Sequence, residues 1–271
     1  MRGLFTCGVN DVLMENGIEF DGAIGVSAGA TFGCNYKSNQ PGRAIRYNKR
    51  FAHDWRYSSL LSWFKTGDLF GADFDYRILP TTLDKFDTEA FAANPMEFYI
   101  VCTEVETARP IYYKMKTGDE VELEWMRGSA SMPVASNVVH VEGYDLLDGG
   151  IIDSIPIRYF ESIGYKHNLV ILTQPRDFVM KPQKGAPVLK RVLREYPAVF
   201  DALQNRYKDY NEVRSYIWET EKQGRNFVIC PPAPLPIHHV SHDPEEMQTV
   251  YEIGREAAEV RLDEIKAFLE D

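Results

Sequence analysis

Near the start of the chain, Gly25-Val26-Ser27-Ala28-Gly29 joins an apolar run, Phe20 to Val26, to a small-residue stretch, Ala28 to Asn35. A strand that ends on this pattern must turn sharply into a helix, with the serine hydroxyl exposed at the helix N-terminus. A side chain at either Gly25 or Gly29 is expected to crowd that tight strand-to-helix packing. With 19 Gly and 12 Ser in 271 residues, the spacing arises by chance about 0.06 times per chain. A nucleophilic Ser27 is therefore expected in place of a plain structural turn.

A strand–turn–helix unit of this kind belongs to an open, parallel α/β sheet. Gly3 to Asn16 reads as a helix with Leu4, Phe5, Val9, Val12, Leu13 and Met14 on a broad apolar face. Further strands are expected at Glu97–Val105, Ile111–Met115, Asn137–Val141, Asn168–Thr173 and Asn226–Cys230. The runs Phe98–Cys102 and Leu169–Leu172 are continuous, as in strands covered on both faces. A charged helical stretch lies between Pro187 and Gly224. A long tail helix opens with Asp243 as N-cap, Pro244 at its first position and Glu246 at capping-box spacing. No repeat or linker interrupts the chain, which reads as one domain over 1–271.

The formal net charge of −10 argues against nucleic-acid binding through the overall field. Adsorption to anionic membranes needs a local patch. Cys7, Cys34, Cys102 and Cys230 are scattered in or beside apolar segments and read as buried thiols of a reducing compartment. No apolar run approaches the roughly 18 residues of a membrane span, and the N-terminus lacks a signal-peptide core. A cytoplasmic location is expected.

An activated serine needs a base. Asp148-Gly149-Gly150 follows a short apolar strand, Tyr144 to Leu147, and its glycines allow a tight turn and close approach of another segment. A carboxylate held against the serine hydroxyl can accept its proton directly if burial makes it basic enough.

Together, Met1-Arg2-Gly3 before a helix, Gly25–Gly29, Ser131-Met132-Pro133 and Asp148–Gly150 occur in the order seen in patatin-like phospholipases, which this chain resembles over roughly 1–175. The resemblance implies a three-layer α/β/α fold with a mainly parallel central sheet, and a C-terminal helical extension over 176–271. It implies a lipid acyl hydrolase acting on lipid or phospholipid esters without cofactor or metal. Ser27 is then the nucleophile and Asp148 the general base, with no histidine. Arg2, Gly3 and Ala28 fall to the oxyanion and substrate site.

The chain departs from the family at its start. The family's oxyanion loop, G-G-G-x-R-G after a first strand, is matched here only by Met1-Arg2-Gly3. Oxyanion donors contribute about 2.7–4 kcal/mol each in measured cases, so their loss weakens catalysis. A gap is also expected beside the Ser27 strand, with apolar surface and unpaired backbone groups. Either the natural chain begins upstream, or this is a weakened or non-catalytic, lipid-binding or scaffold member.

Other readings compete. His238, His239 and His242 offer a Ser–His–Asp order or a metal site, against a plain polar loop. The stretch Trp55 to Phe70 is read as core packing first, and otherwise as an acyl pocket or a peripheral membrane contact. Lys181, Lys184, Lys190, Arg191 and Arg194 read as a solvated helix face rather than a phosphate-binding patch.

Overall fold

A computed structural model describes residues 1–183, 185–238 and 240–270. The order begins α1 (Leu4–Glu15), β1 (Gly22–Val26), α2 (Ala28–Lys37), α3 (Arg43–Phe51), α4 (Leu60–Thr66), then a π-helical segment (Phe74–Leu83) and α5 (Thr88–Ala93). It continues with β2 (Glu97–Glu104), β3 (Pro110–Met115), α6 (Glu120–Ser129), β4 (Val139–Val141), β5 (Tyr144–Asp148) and a single turn, Gly149–Ile151. The remainder is α7 (Ile157–Ser162), β6 (Asn168–Ile171), α8 (Ala186–Val192), α9 (Pro197–Lys222), β7 (Asn226–Ile229), α10 (Pro244–Glu259) and α11 (Leu262–Glu270).

The fold is mixed α/β with helices on both faces of its strands. The parallel pairs are β1 with β2, in the register Gly22↔Glu97 to Val26↔Val101, and β6 with β7. Beside them, β3 and β5 run antiparallel to β2, and β4 forms a hairpin with β5. On one face, Ala30 and Cys34 of α2, Phe91 of α5 and Trp125 and Met126 of α6 pack on Phe98, Ile100 and Cys102. On the other, Leu147 of β5 meets Leu189 of α8 and Leu203 of α9. Successive residues of β5, Leu146 and Leu147, serve the two cores, as a pleated strand requires. β6 also divides its side chains, with Val170 packed beside Ile157 and Ile217 and Leu169 beside the α1–α10 core.

The region after residue 175 is more than helical. It supplies β7, the partner of β6, and α10, which lies directly against α1. A Cβ on Gly8 would come within 2.1 Å of the Tyr251 carbonyl oxygen, and one on Gly254 within 2.0 Å of that of Phe5. Only glycine admits this approach at both positions. Tyr251 Oη then donates to the buried Asp11 at 2.7 Å.

Several local expectations change. Pro197 cannot continue a helix, so the 187–224 stretch divides into α8 and α9. The tail divides between Glu259 and Leu262. Asp243 caps α10 by accepting from the Glu245 amide, whereas the Glu246 carboxylate accepts from Ser241 Oγ and closes no capping box. Among the described residues no strand pairs with the second edge of β1. Gly22–Val26 and residues 168–173 instead line one cavity of about 1700 Å³, together with Met1, Arg2 and Gly3.

Candidate active site

The turn after β1 is strained in the manner expected of an elbow. Ser27 has φ 53° and ψ −119°, a conformation that costs a residue with a side chain about 1–3 kcal/mol. Neighbours enforce it. The Ser27 carbonyl accepts from the amides of Ala30 (2.9 Å) and Thr31 (3.0 Å), while its own amide donates to Ser129 Oγ at 3.2 Å. Ser129 Oγ in turn donates to the Val101 carbonyl of β2 at 2.6 Å. A Cβ on Gly25 would stand 2.3 Å from the Gly29 oxygen, so glycine is required there. Gly29 is different, because a Cβ on it meets nothing within 4 Å. The expected crowding thus applies to Gly25 alone. A serine before a helix commonly spends its hydroxyl on a helix N–H; that of Ser27 makes no such cap.

Asp148 closes β5 and is 1% exposed. Its amide donates to the Ser131 carbonyl and its carbonyl accepts from Thr103 Oγ1, both at 2.8 Å, which fixes the backbone on two sides. Oδ1 accepts from the Gly150 amide at 2.7 Å, and Oδ2 is buried without a hydrogen-bond partner. Gly149 allows the turn to press on β2, since a Cβ there would lie 2.2 Å from the Val101 oxygen. Burial pushes the Asp148 carboxyl up to about 6, opposed by the Ser27 hydroxyl, the Gly150 amide and the Arg206 charge. The Ser27 hydroxyl is thus a neighbour of the carboxylate, but the pair does not close a hydrogen bond of ordinary geometry. Such contacts often tighten only when substrate is bound.

Of the remaining sequence-derived residues, Arg2, Gly3, Gly25, Ala28, Gly29 and Gly150 all border the cavity that holds Ser27 and Asp148. Gly3 abuts the elbow, with a built Cβ 2.8 Å from that of Ala28. Ala28 opens α2, where helix geometry leaves amide donors without intrahelical acceptors. Ser131, from the Ser-Met-Pro segment, holds the Asp148 amide, and Met132 and Pro133 line the cavity. His238 and His242 do not line it, and His242 Nδ1 instead meets the Ala52 carbonyl at 2.8 Å. His239 and Lys184 lie outside the described residues. Lys190, Arg191 and Arg194 are exposed, as expected of a solvated face.

Two features escaped the sequence, and a third was weighed there only as the alternative to core packing. α9 brings Arg206, Tyr207 and Tyr210 to the cavity wall. The π-helical segment brings Asp75, whose carboxyl is pushed well above the usual range by burial and whose Oδ1 has no partner. The Trp55–Phe70 stretch is only partly core: Tyr57 is buried, whereas Leu60, Leu61, Trp63 and Phe64 of α4 are exposed, Phe64 by 77%. Trp63 Nε1 donates to the Val134 carbonyl and ties α4 to the segment containing Met132.

Residues 1–161 match the family described as patatin-like phospholipase, and residues 196–270 match a domain of unknown function, DUF6363. The chain is 27% identical over 265 residues to the uncharacterized protein YjjU of Escherichia coli (strain K12), covering 94% of this chain and 72% of that protein. It is 29% identical over 170 residues to lysophospholipase nte1 of Aspergillus oryzae and 30% identical to that of Aspergillus terreus. These two matches cover 60% of this chain and 10% of the fungal proteins.

Proposed function

Starting from the membership of this chain in the patatin-like phospholipase family, we propose that it is a lipid acyl hydrolase that cleaves carboxylic esters through Ser27 and Asp148. The observation that carries the reading is a serine hydroxyl left out of helix capping, beside a buried carboxylate whose Oδ2 has no hydrogen-bond partner. Ser27 Oγ attacks the acyl carbonyl and its proton passes to Asp148. The acyl-enzyme forms as the alcohol leaves, and water deprotonated by the same carboxylate releases the fatty acid. A carboxyl raised to about 6 suits this role, being ionised at neutral pH yet far more basic than a solvated aspartate. The oxyanion donors in this reading are the Ala28 amide and the Gly3 end of α1, both on the wall of the cavity that holds Ser27. The names of the fungal relatives favour lysophospholipids as substrates.

In this reading 1–271 is a single hydrolase domain. Among the described residues no helix is long and apolar enough to cross a membrane. Contact with lipid is peripheral, through the exposed Leu60, Leu61 and Phe64 of α4, with Trp55 and Trp63 at the rim.

The test is turnover of a soluble short-chain ester and of a lysophospholipid by the natural chain, Ser27→Ala, Asp148→Asn and His242→Ala. Loss in the first two variants alone supports the proposal, and retained turnover in either refutes it. A second reading, a lipid-binding member without catalysis, draws on the Ser27–Asp148 pair, which closes no hydrogen bond of ordinary geometry. It requires a lipid ester to bind without being cleaved.

A further inference from the structure

α9, which lies in the segment outside the phospholipase match, delivers one side chain to the turn that carries Asp148. Arg206 Nε donates to the Gly150 carbonyl and lies 3.2 Å from Ser154 Oγ, which donates to that carbonyl at 2.8 Å. A Cβ on Gly150 would stand 2.9 Å from Asp148 Oδ1 and 3.4 Å from an Arg206 Nη. The guanidinium and the carboxylate therefore flank the same glycine. Alongside, Leu203, one turn earlier on α9, packs with Leu147 and Ile151 on either side of the turn.

We propose that Arg206 is a positioning residue that clamps the Asp148-Gly149-Gly150 turn and supplies the fixed positive charge that keeps Asp148 ionised and aimed at Ser27. The C-terminal segment thereby completes the hydrolase site instead of merely covering the sheet. This inference rests on the proposed Ser27–Asp148 reading.

The other groups around Asp148 do not supply that charge. Ser27 on the elbow and the Gly150 amide are neutral donors. Cys102 on β2 and Tyr76 on the π-helical segment are both pushed upward, chiefly by burial, and stay uncharged at neutral pH. Arg2 shares the cavity, but the charged groups it feels there are Tyr210 and Arg206 rather than Asp148. An arginine suits the position because it stays protonated and presents several donors in one plane, so one can hold a carbonyl while the charge lies across Gly150 from the carboxylate.

The experiment follows kcat and KM for a soluble short-chain ester from pH 4 to 9, with thermal midpoints, in the natural chain and in Arg206→Met, Arg206→Lys and Ser154→Ala. Arg206→Met should move the acid limb of kcat/KM upward and lower kcat at least about twofold at neutral pH, with KM changed less than about twofold; each unit of limb shift is tenfold in activity on the acid side. Arg206→Lys, which keeps the charge and preserves folding if the methionine variant is unstable, should hold the limb in place while lowering kcat. Ser154→Ala removes a neutral donor from the same carbonyl and should leave the limb fixed. An unshifted limb with natural kcat in Arg206→Met overturns the proposal, as does an equal shift in Ser154→Ala or a shifted limb in Arg206→Lys. Natural turnover in Ser27→Ala or Asp148→Asn, run alongside, overturns the underlying reading instead and is recognised separately.

Discussion

Replacing Asp148 by Asn should stabilise the protein at neutral pH while removing its activity. The carboxyl is 1% exposed and its pKa is raised by burial from 3.8 to about 6, so it holds its proton more tightly in the folded chain than in the unfolded one. Its favourable contribution to stability is complete below about pH 4, is lost as the pH rises through about 6, and stays lost above. A shift of roughly two units at 1.36 kcal/mol each amounts to about 3 kcal/mol. The amide keeps the oxygen that accepts from the Gly150 amide and presents its NH2 group to the Ser27 hydroxyl, but carries no charge that resists burial. Any fixed packing difference between the two side chains is independent of pH. The assay is therefore urea denaturation of both proteins at pH 4 to 8, read as the difference between them. That difference should grow by about 3 kcal/mol in favour of the variant up to pH 7 and then level off. At about 2–4 °C per kcal/mol for a chain of this size, thermal midpoints should separate by about 6–12 °C over the same range. A difference independent of pH would refute the reasoning, since it would mean that Asp148 carries no burial penalty.

Gly25→Ala should cost about 3 kcal/mol, because its Cβ would overlap the Gly29 carbonyl, while Gly29→Ala, in an open helical position, should cost nothing and gain up to about 1 kcal/mol; denaturant midpoints of the two variants check the contrast. Leu60→Asp with Phe64→Asp should lower partition onto phosphatidylcholine vesicles at least about tenfold and leave soluble-ester turnover unchanged, measured by co-sedimentation and initial rates.

Much of the fold was legible because local signals and tertiary packing agree. α1 and β1 follow their periodicity to within two residues at each end, and β2, β3, β5, β6 and β7 lie where apolar runs placed them. The candidate site was legible where short motifs stand out: Ser27 and Asp148 are 121 positions apart, yet each carries its own glycine signature and both line one cavity. Arg206 carries none, since one arginine on a charged helix looks the same whether it faces water or a carbonyl. Asp75 is similarly silent, because the enclosure of its Oδ1 in a half-buried side chain comes from tertiary packing rather than from adjacent residues. Sequence weighed the aromatic stretch as core first and as a lipid contact second, because hydrophobicity does not distinguish a buried face from an exposed one. Leu60 and Phe64 lie on the outer side of a seven-residue helix whose inner side is occupied by Ser62. Gly29 illustrates the converse, a motif residue whose expected steric role belongs to its partner Gly25.

The central claim is that Ser27 is a nucleophile activated by Asp148, and fluorophosphonate labelling read by intact mass tests it most directly. The probe reacts only with an activated serine in a site able to hold the phosphonyl oxygen. The account predicts one adduct on the natural chain, localised to Ser27, absent in Ser27→Ala and strongly slowed in Asp148→Asn. A folded chain that takes up no label, or one labelled equally in the Ser27→Ala variant, would contradict it.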